Sequence, residues 1–230
     1  MKTIGIIGGM SWESTQTYYR MINQGIKAAL GGSHSAQIAM VSVDFAPIEQ
    51  LQHVGDWAGT AQILIEAARQ VEAAGADCLL IATNTMHKVA EEVQAAVDIP
   101  LLHIADATGK AIKALDAESV GLLGTAFTME QPFYKDHLSQ DYGLRVLIPK
   151  EADRALVHQI IYQQLCQGRI EDHSRQTYLR IIDHMAEQGA EAVILGCTEI
   201  GLLVQQHHTQ VKLLDTSALH AQMAIEFALA

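Results

Sequence analysis

Two polar turns, each directly after an aliphatic run, contain the side chains best suited to proton transfer. The first turn, ATNTMHK, carries Thr83, Asn84 and Thr85, and the second, GCTEI, carries Cys197. Residues of these types favour helix starts, so each turn predicts a strand that gives way to a helix. A thiol at a helix N-terminus should ionise below its usual pKa of about 8.5, which would make Cys197 a usable base.

A purely structural interpretation fits the same residues when each turn is taken alone. Threonine and asparagine cap helices, and cysteine behaves as a small buried hydrophobic residue. Cys78 and Cys166 lack the context of a strand exit and are interpreted as packing residues. An odd number of cysteines without a CxxC pair does not suggest a disulfide framework, so reduced thiols are expected. The histidines show no HExxH or related zinc spacing, and no metal site is predicted.

An internal duplication places the two turns at equivalent positions. GADCLLIATNT, from Gly75, aligns with GAEAVILGCTE, from Gly189, and this alignment sets Thr83 opposite Cys197. IGIIG near the start similarly matches VGLLG, and LLH matches LLD, in the same order along the chain. Buried parallel strands are near-continuous aliphatic runs in any α/β protein, so a chance likeness is the alternative.

Short aliphatic runs alternate with amphipathic stretches, which is typical of βα units. The predicted strands cover 3–7, 37–43, 77–82, 101–104, 119–124, 145–148, 192–196 and 212–215. With the duplication, this pattern predicts an α/β protein of two pseudo-symmetric domains, each a parallel four-stranded sheet flanked by helices. The predicted domains are 1–99 plus 207–230, and 100–206. Ligands bind at the carboxyl ends of parallel strands, so the active site is expected in the interdomain cleft, between Thr83 and Cys197.

Four segments together resemble the aspartate/glutamate racemase family along nearly the whole chain: IGIIGGMSWEST, ATNTMHK, IPLLHIADAT and ILGCTEI. The two turns are quite specific, whereas the glycines of the first segment lack the GxGxxG pattern of a nucleotide site. The resemblance implies an amino-acid racemase that needs no pyridoxal phosphate or other cofactor. In such enzymes one cysteine removes the α-proton and a second, on the opposite face, returns one.

The resemblance also implies which residues surround a small amino-acid substrate. Besides the catalytic pair, Cys197 and Thr83, these are Met10, Ser11, Gln52, Asn84, Thr85, Thr125, Thr198 and Glu199. Gln52 ends the predicted loop DFAPIEQLQ, which has no arginine where aspartate-specific relatives usually have one. A neutral amide selects a carboxylate less strictly than a guanidinium, so aspartate, glutamate or a broader set of amino acids is expected. The resemblance further implies a homodimer.

The chain departs from the family pattern at Thr83, where a cysteine is expected. An alkanol hydroxyl resembles water in acidity and has a pKa roughly seven units above that of a thiol, so Thr83 should be a poor base. Family members usually direct the later cysteine at the L-enantiomer, which predicts Cys197 as the strong base and turnover that favours L. A single cysteine also fits a decarboxylase of the arylmalonate type, and a lost thiol fits a non-catalytic amino-acid-binding protein.

Charge and hydropathy narrow the range of partners. A net charge of −11 makes a nucleic-acid partner unexpected, because such partners need clustered lysine and arginine. No apolar run reaches the roughly 18 residues that span a bilayer, and no signal-peptide pattern precedes the first strand. A cytoplasmic enzyme without a membrane partner is therefore expected.

Overall fold

The computed structural model describes residues Met1–Ala230, which form two compact units. Unit 1 consists of Met1–Ile104 with His220–Ala230, and unit 2 is Ala105–Leu219. These boundaries differ from the predicted 1–99 plus 207–230 and 100–206. Leu101 still pairs with a strand of unit 1, and the strand Lys212–Asp215 pairs within unit 2, so each unit extends beyond its predicted end.

Unit 1 contains a three-stranded parallel sheet with the order β2-β1-β3. Its elements are β1 (Ile4–Gly8), α1 (Trp12–Leu30), β2 (Ile38–Ser42), α2 (Phe45–Val54), α3 (Trp57–Ala73), β3 (Cys78–Ile81), a 3-10 helix (Thr85–Val89), α4 (Ala90–Gln94) and the part of α11 (Thr216–Leu229) from His220 onward. Every residue of β1 and β3 is buried, as expected for strands covered on both faces.

The predicted fourth strand of unit 1, at 101–104, is a single bridge between Leu79 and Leu101. Leu79 N donates to Pro100 O and Leu102 N donates to Leu79 O, both at 2.9 Å. The prediction of a four-stranded sheet was therefore wrong for this unit. The chain turns into helix α5 (Ile104–Ala114) too soon after Leu101 to extend the ladder.

Unit 2 contains the predicted four-stranded parallel sheet, with the order β5-β4-β6-β7. Its further elements are β4 (Ser119–Gly124), α6 (Ala126–Glu130), α7 (Pro132–Tyr142), β5 (Arg145–Leu147), α8 (Glu151–Gln163), a 3-10 helix (Leu165–Gln167), α9 (Asp172–Glu187), β6 (Ala192–Gly196), α10 (Ile200–Leu203), a 3-10 helix (Gln206–His208) and β7 (Lys212–Asp215). The α/β architecture with two parallel sheets flanked by helices confirms the predicted fold class.

The core of unit 1 lies on both faces of its sheet. Ile4 and Ile6 share one cluster with Ile22 of α1, whereas Ile7 belongs to a second cluster that includes Leu64 of α3. Side chains of one strand alternate between the two faces, so the aliphatic run of β1 serves both clusters. This explains why the run shows no polar alternation.

The glycines of the first segment serve backbone packing. A Cβ on Gly5 would lie 2.4 Å from Cys78 O on the neighbouring strand. Gly9 has φ +95°, and a Cβ there would lie 2.1 Å from Val43 O. Only glycine fits the close approach at Gly5 and the left-handed backbone at Gly9.

Two kinds of feature are absent from the structure. None of the helices combines the length and the apolar character that a membrane span requires. The structure also contains no group of three or more His, Cys, Asp or Glu residues that could hold a metal ion.

His137 of α7 contributes a stabilising contact in unit 2 that depends on pH. Its Nε2 lies 2.7 Å from Asp106 Oδ1, which also accepts a 3.0 Å hydrogen bond from the Tyr142 hydroxyl, and its Nδ1 lies 3.5 Å from Asp141 Oδ2. The hydrogen bond to Asp106 raises the pKa of His137, against a lowering by burial. Because the folded pKa is the higher one, this stabilisation is complete below the unfolded value of about 6.5 and is lost as pH rises through the folded pKa.

We expect His137→Asn to lower the free energy of unfolding by on the order of 1 kcal/mol at about pH 5.5, and by less at about pH 9. Urea titrations followed by circular dichroism at both pH values measure this. His184→Asn is the matched control, because His184 pairs with Glu187 on an exposed helix turn, where such pairs contribute little. An equal loss for His137→Asn at both pH values would contradict the prediction.

Candidate active site

The candidate residues of unit 1 lie at the carboxyl edge of its sheet. β1 and β3 are parallel, and Ile7 pairs with Ile81, so the turns that follow both strands leave the same edge. The Ser14 hydroxyl on α1 donates to Ala82 O at 3.2 Å and thereby joins the two turns. This edge brings together Met10 and Ser11, after β1, with Thr83, Asn84 and Thr85, after β3.

Met10 and Ser11 support the start of α1. Met10 is buried and belongs to the hydrophobic cluster of Ile7 and Leu64. Ser11 is the N-cap of α1, and its Oγ accepts a 3.3 Å hydrogen bond from Ser14 N. Both residues therefore have a structural role in addition to their predicted place near a substrate.

Gln52 lies in a helix, and the prediction that 44–52 forms a loop was wrong. Asp44 caps α2 by accepting from Ala46 N, and the helix continues through Gln52 to Val54. The Gln52 side chain is buried, and its Nε2 contacts Met86 Sδ at 3.1 Å. The amide thus reaches the 3-10 helix that follows the Thr83 turn.

The Thr83 turn differs locally from the predicted helix start. It leads into a five-residue 3-10 helix, and the Asn84 side chain makes no capping hydrogen bond to that helix. Thr83 is half-buried, whereas Asn84 and Thr85 are buried. The Asn84 side chain therefore does not cap this helix, as the purely structural interpretation of the turn would require.

His87 is an important residue of this turn that sequence reasoning missed. Its Nδ1 lies 2.8 Å from Thr83 O, and its Nε2 accepts a 3.2 Å hydrogen bond from Ile104 N. Burial is the main cause that holds its pKa well below the usual value. The available signal was its position four residues after Thr83, inside the same motif.

In unit 2 the candidate residues follow two paired strands. Gly124 of β4 pairs with Gly196 of β6, so Thr125 and Cys197 leave neighbouring strands at the same level. Thr125 is the N-cap of α6, and its Oγ1 accepts a 3.3 Å hydrogen bond from Thr128 N. The parallel ladder therefore brings together two residues that are far apart in the sequence.

Cys197, Thr198 and Glu199 form a buried hydrogen-bonded group. Cys197 Sγ and Thr198 Oγ1 both donate to Glu199 Oε2, each at 2.8 Å. All three side chains are buried. Glu199 is predicted to lie beside the substrate, and its carboxylate also accepts a hydrogen bond directly from the Cys197 thiol.

The predicted lowering of the Cys197 pKa was wrong. Burial, and then the nearby Glu199 carboxylate, hold the pKa of this thiol well above its ordinary value. The helix that follows, α10, has only four residues, and the Glu199 side chain does not cap it. So short a helix provides little dipole to offset the loss of hydration, and the thiol is protonated at neutral pH.

One large surface cavity lies away from the candidate residues. A surface cavity of about 590 Å³ in unit 2 is lined mainly by charged side chains, including Lys150, Asp153, Arg180 and His184. None of the candidate residues contributes to it. The chemistry of the two turns, and not this cavity, identifies the candidate active-site residues.

Comparisons with known proteins find racemases or racemase homologues that are similar to this chain over nearly its whole length. A sequence profile of the family described as Asp/Glu/Hydantoin racemase matches residues 7–224. The broad specificity amino-acid racemase RacX of Bacillus subtilis is 25% identical over 228 residues, which cover 99% of this chain and 98% of RacX. A candidate Asp/Glu racemase from Yersinia pestis is 52% identical with a TM-score of 0.92, and an aspartate racemase homologue from Pyrococcus horikoshii is 34% identical with a TM-score of 0.84. Both structures match over 100% of each chain.

Proposed function

The chain belongs to the Asp/Glu/Hydantoin racemase family, and we propose on that basis that it interconverts L- and D-amino acids by moving the α-proton, without a cofactor. The observation that carries the proposal is the contact between Cys197 Sγ and Glu199 Oε2. A thiol that already donates to a carboxylate has an acceptor for its proton. It can therefore become the thiolate, which acts as the base that removes the α-proton of the substrate.

The proposed reaction from the L-enantiomer has two proton transfers at Cα. Glu199 accepts the Cys197 proton, and the resulting thiolate removes the α-proton to give a planar carbanion and a neutral thiol. A proton delivered to the opposite face then yields the D-enantiomer. If Cys197 instead returns a solvent-derived proton, the L-enantiomer is recovered with an exchanged Cα–H.

Thr83 takes the place of the second base in this proposal. Its hydroxyl, or a water that it holds, donates the proton to the face opposite Cys197. Glu199 then releases its extra proton to solvent, and solvent returns a proton to the Thr83 side, which restores the starting state. The reverse task, deprotonation of a D-amino acid, requires an alkoxide-like base that is roughly seven pKa units harder to form than a free thiolate. We therefore propose turnover that favours the L-enantiomer.

The substrate is proposed to be aspartate, glutamate or a broader set of amino acids. The polar candidates around the catalytic pair, apart from Glu199, are neutral: Ser11, Gln52, Asn84, Thr85, Thr125 and Thr198. Neutral donors select a side-chain carboxylate less strictly than an arginine would. RacX is described as having broad specificity, which supports including other amino acids in the proposal. The family resemblance further implies a homodimer, and we propose a cytoplasmic location from the sequence. Analytical ultracentrifugation would test the first and cell fractionation the second.

Solvent exchange tests the function most directly. The purified protein is incubated in deuterium oxide with each enantiomer of aspartate and glutamate, and NMR follows the Cα–H signal while chiral chromatography follows inversion. We expect exchange and slow inversion from an L-enantiomer. Binding without exchange would indicate a non-catalytic binding protein, and loss of carbon dioxide from an arylmalonate would indicate the single-cysteine decarboxylase.

Glu199→Gln should separate the two effects of this carboxylate on Cys197. We expect exchange from the L-enantiomer to fall about 100-fold, because the amide cannot take the thiol proton. Alkylation of Cys197 by iodoacetamide should meanwhile move to lower pH, because Glu199 raises the pKa of the thiol. Mass spectrometry across a pH series measures the alkylation.

Glu187→Gln is the matched control for charge, since Glu187 is an exposed glutamate of α9 in the same unit. It should change neither measurement. Unchanged exchange in Glu199→Gln would show that this carboxylate is not the proton acceptor.

A further inference from the structure

Two buried histidines of unit 1, His87 and His220, lie close to each other near the Thr83 turn. His87 follows Thr83 by four residues, and His220 begins the part of α11 that belongs to unit 1. Their ring centroids are 5.7 Å apart, and the His103 ring lies 4.5 Å from that of His87. Neither histidine takes part in the proposed proton transfers. Their burial near the Thr83 turn therefore points to a role other than acid or base.

The hydrogen bonds of His87 define its tautomer. A carbonyl oxygen can only accept, so the 2.8 Å contact with Thr83 O places a hydrogen on Nδ1. Nε2 accepts from Ile104 N at 3.2 Å and therefore carries no hydrogen. The ring is neutral with both nitrogens used, which agrees with a pKa held well below its usual value by burial.

His220 also uses both ring nitrogens in hydrogen bonds, and neither of these bonds involves Thr83. Its Nε2 donates to Leu102 O at 2.6 Å, and its Nδ1 accepts from the Tyr18 hydroxyl at 2.9 Å. Burial lowers its pKa to about 4, so this ring is neutral as well. The His220 and Tyr18 pair therefore supports the segment next to Ile104, and neither of these two hydrogen bonds involves Thr83.

We propose that His87 is a positioning residue that orients the Cα–Cβ bond from which the Thr83 hydroxyl extends, an inference that rests on the proposed function. Thr83 N donates to Ile81 O at 2.8 Å, and Thr83 O accepts from His87, so the backbone is held on both sides of this residue. The two bonds fix the orientation of the Cα–Cβ bond. The Ile104 N–H holds the other side of the ring, so the imidazole cannot swing away from Thr83 O.

This role predicts an effect on one proton transfer only. His87 contacts the Thr83 turn, whereas the Cys197 thiol and Glu199 form their contact within unit 2. Loss of the His87 contact should therefore slow protonation on the Thr83 face and leave exchange by Cys197 unchanged. The ratio of inversion to exchange, measured from an L-amino acid in deuterium oxide, reports this difference.

The experiment compares two variants, each of which keeps one of the two hydrogen bonds of the His87 ring. In His87→Asn the side-chain amide replaces the Nδ1–H donor and can still bind Thr83 O, whereas in His87→Gln the amide oxygen replaces Nε2 and can still accept from Ile104 N. We expect His87→Gln to lower the ratio of inversion to exchange roughly 10- to 100-fold, because a displaced catalytic group loses activity steeply. His87→Asn should restore most of the ratio.

Tyr18→Phe is the matched control, because the buried hydrogen bond that it removes joins Tyr18 to His220 and does not involve Thr83. It should lower thermal stability and leave the ratio unchanged. Equal losses of inversion and exchange in His87→Gln, or no rescue by His87→Asn, would overturn the positioning role. Absence of both activities in the unaltered protein would instead overturn the proposed function.

Discussion

Cys197→Ser is expected to abolish Cα–H exchange on every substrate, with a loss of at least about 1,000-fold. A serine hydroxyl is far less acidic than a thiol, so Glu199 cannot convert it into a usable base at neutral pH. The thiol of Cys197 is the one that donates to a carboxylate at a strand exit. NMR in deuterium oxide measures the exchange, and circular dichroism checks that the variant is folded.

The other two cysteines provide the controls. Cys78 lies inside β3, where burial raises its pKa to about 11, and Cys166 lies in the 3-10 helix Leu165–Gln167. Cys78→Ser and Cys166→Ser should retain exchange per folded molecule. Exchange that survives in Cys197→Ser would remove this residue from the mechanism.

Thr83→Cys is expected to increase turnover from the D-enantiomer by at least about 100-fold. The substitution supplies a thiol at the position that matches Cys197 in the internal duplication. An enzyme cannot change the equilibrium between the two enantiomers, so the gain must appear in the initial rate from D, with inversion from L rising in proportion. Chiral chromatography of both reactions measures the two rates.

Thr83→Ser is the matched control, since it keeps a hydroxyl and removes only the methyl group. It should not show the gain from D. Equal initial rates from both enantiomers in the unaltered protein, or no gain in Thr83→Cys, would refute the assignment of Thr83 to the second face. The experiment therefore tests the direction of turnover separately from the identity of the first base.

The paired results distinguish a weak racemase from its alternatives. If Cys197→Ser removes exchange and Thr83→Cys adds turnover from D, two acid/base positions act on one substrate. A binding protein that has lost catalysis would show no exchange before or after the Cys197 change. A decarboxylase would depend on Cys197 but would not gain racemisation of a D-amino acid from a second thiol.

The sequence alone predicted the fold class and most of the strands. Seven of the eight predicted strands form, because a buried parallel strand requires a near-continuous aliphatic run and this requirement is visible in the residues themselves. The segment 101–104 has the same aliphatic character but makes only the Leu79–Leu101 bridge. Composition cannot show where the next helix begins, and here α5 begins at Ile104.

The sequence also identified the two polar turns and the residue types that could transfer protons, because a motif preserves residue identity and order. Only the tertiary structure determined the acidity and the orientation of those groups. The pKa of Cys197 depends on burial by distant parts of unit 2 and on the rotamer that directs its Sγ at Glu199. The role of His87 depends on Ile104, 17 residues away, whose N–H reaches Nε2. Hydration and hydrogen bonding are set by neighbours in space, so local sequence can name the reactive groups but does not determine their acidity or direction.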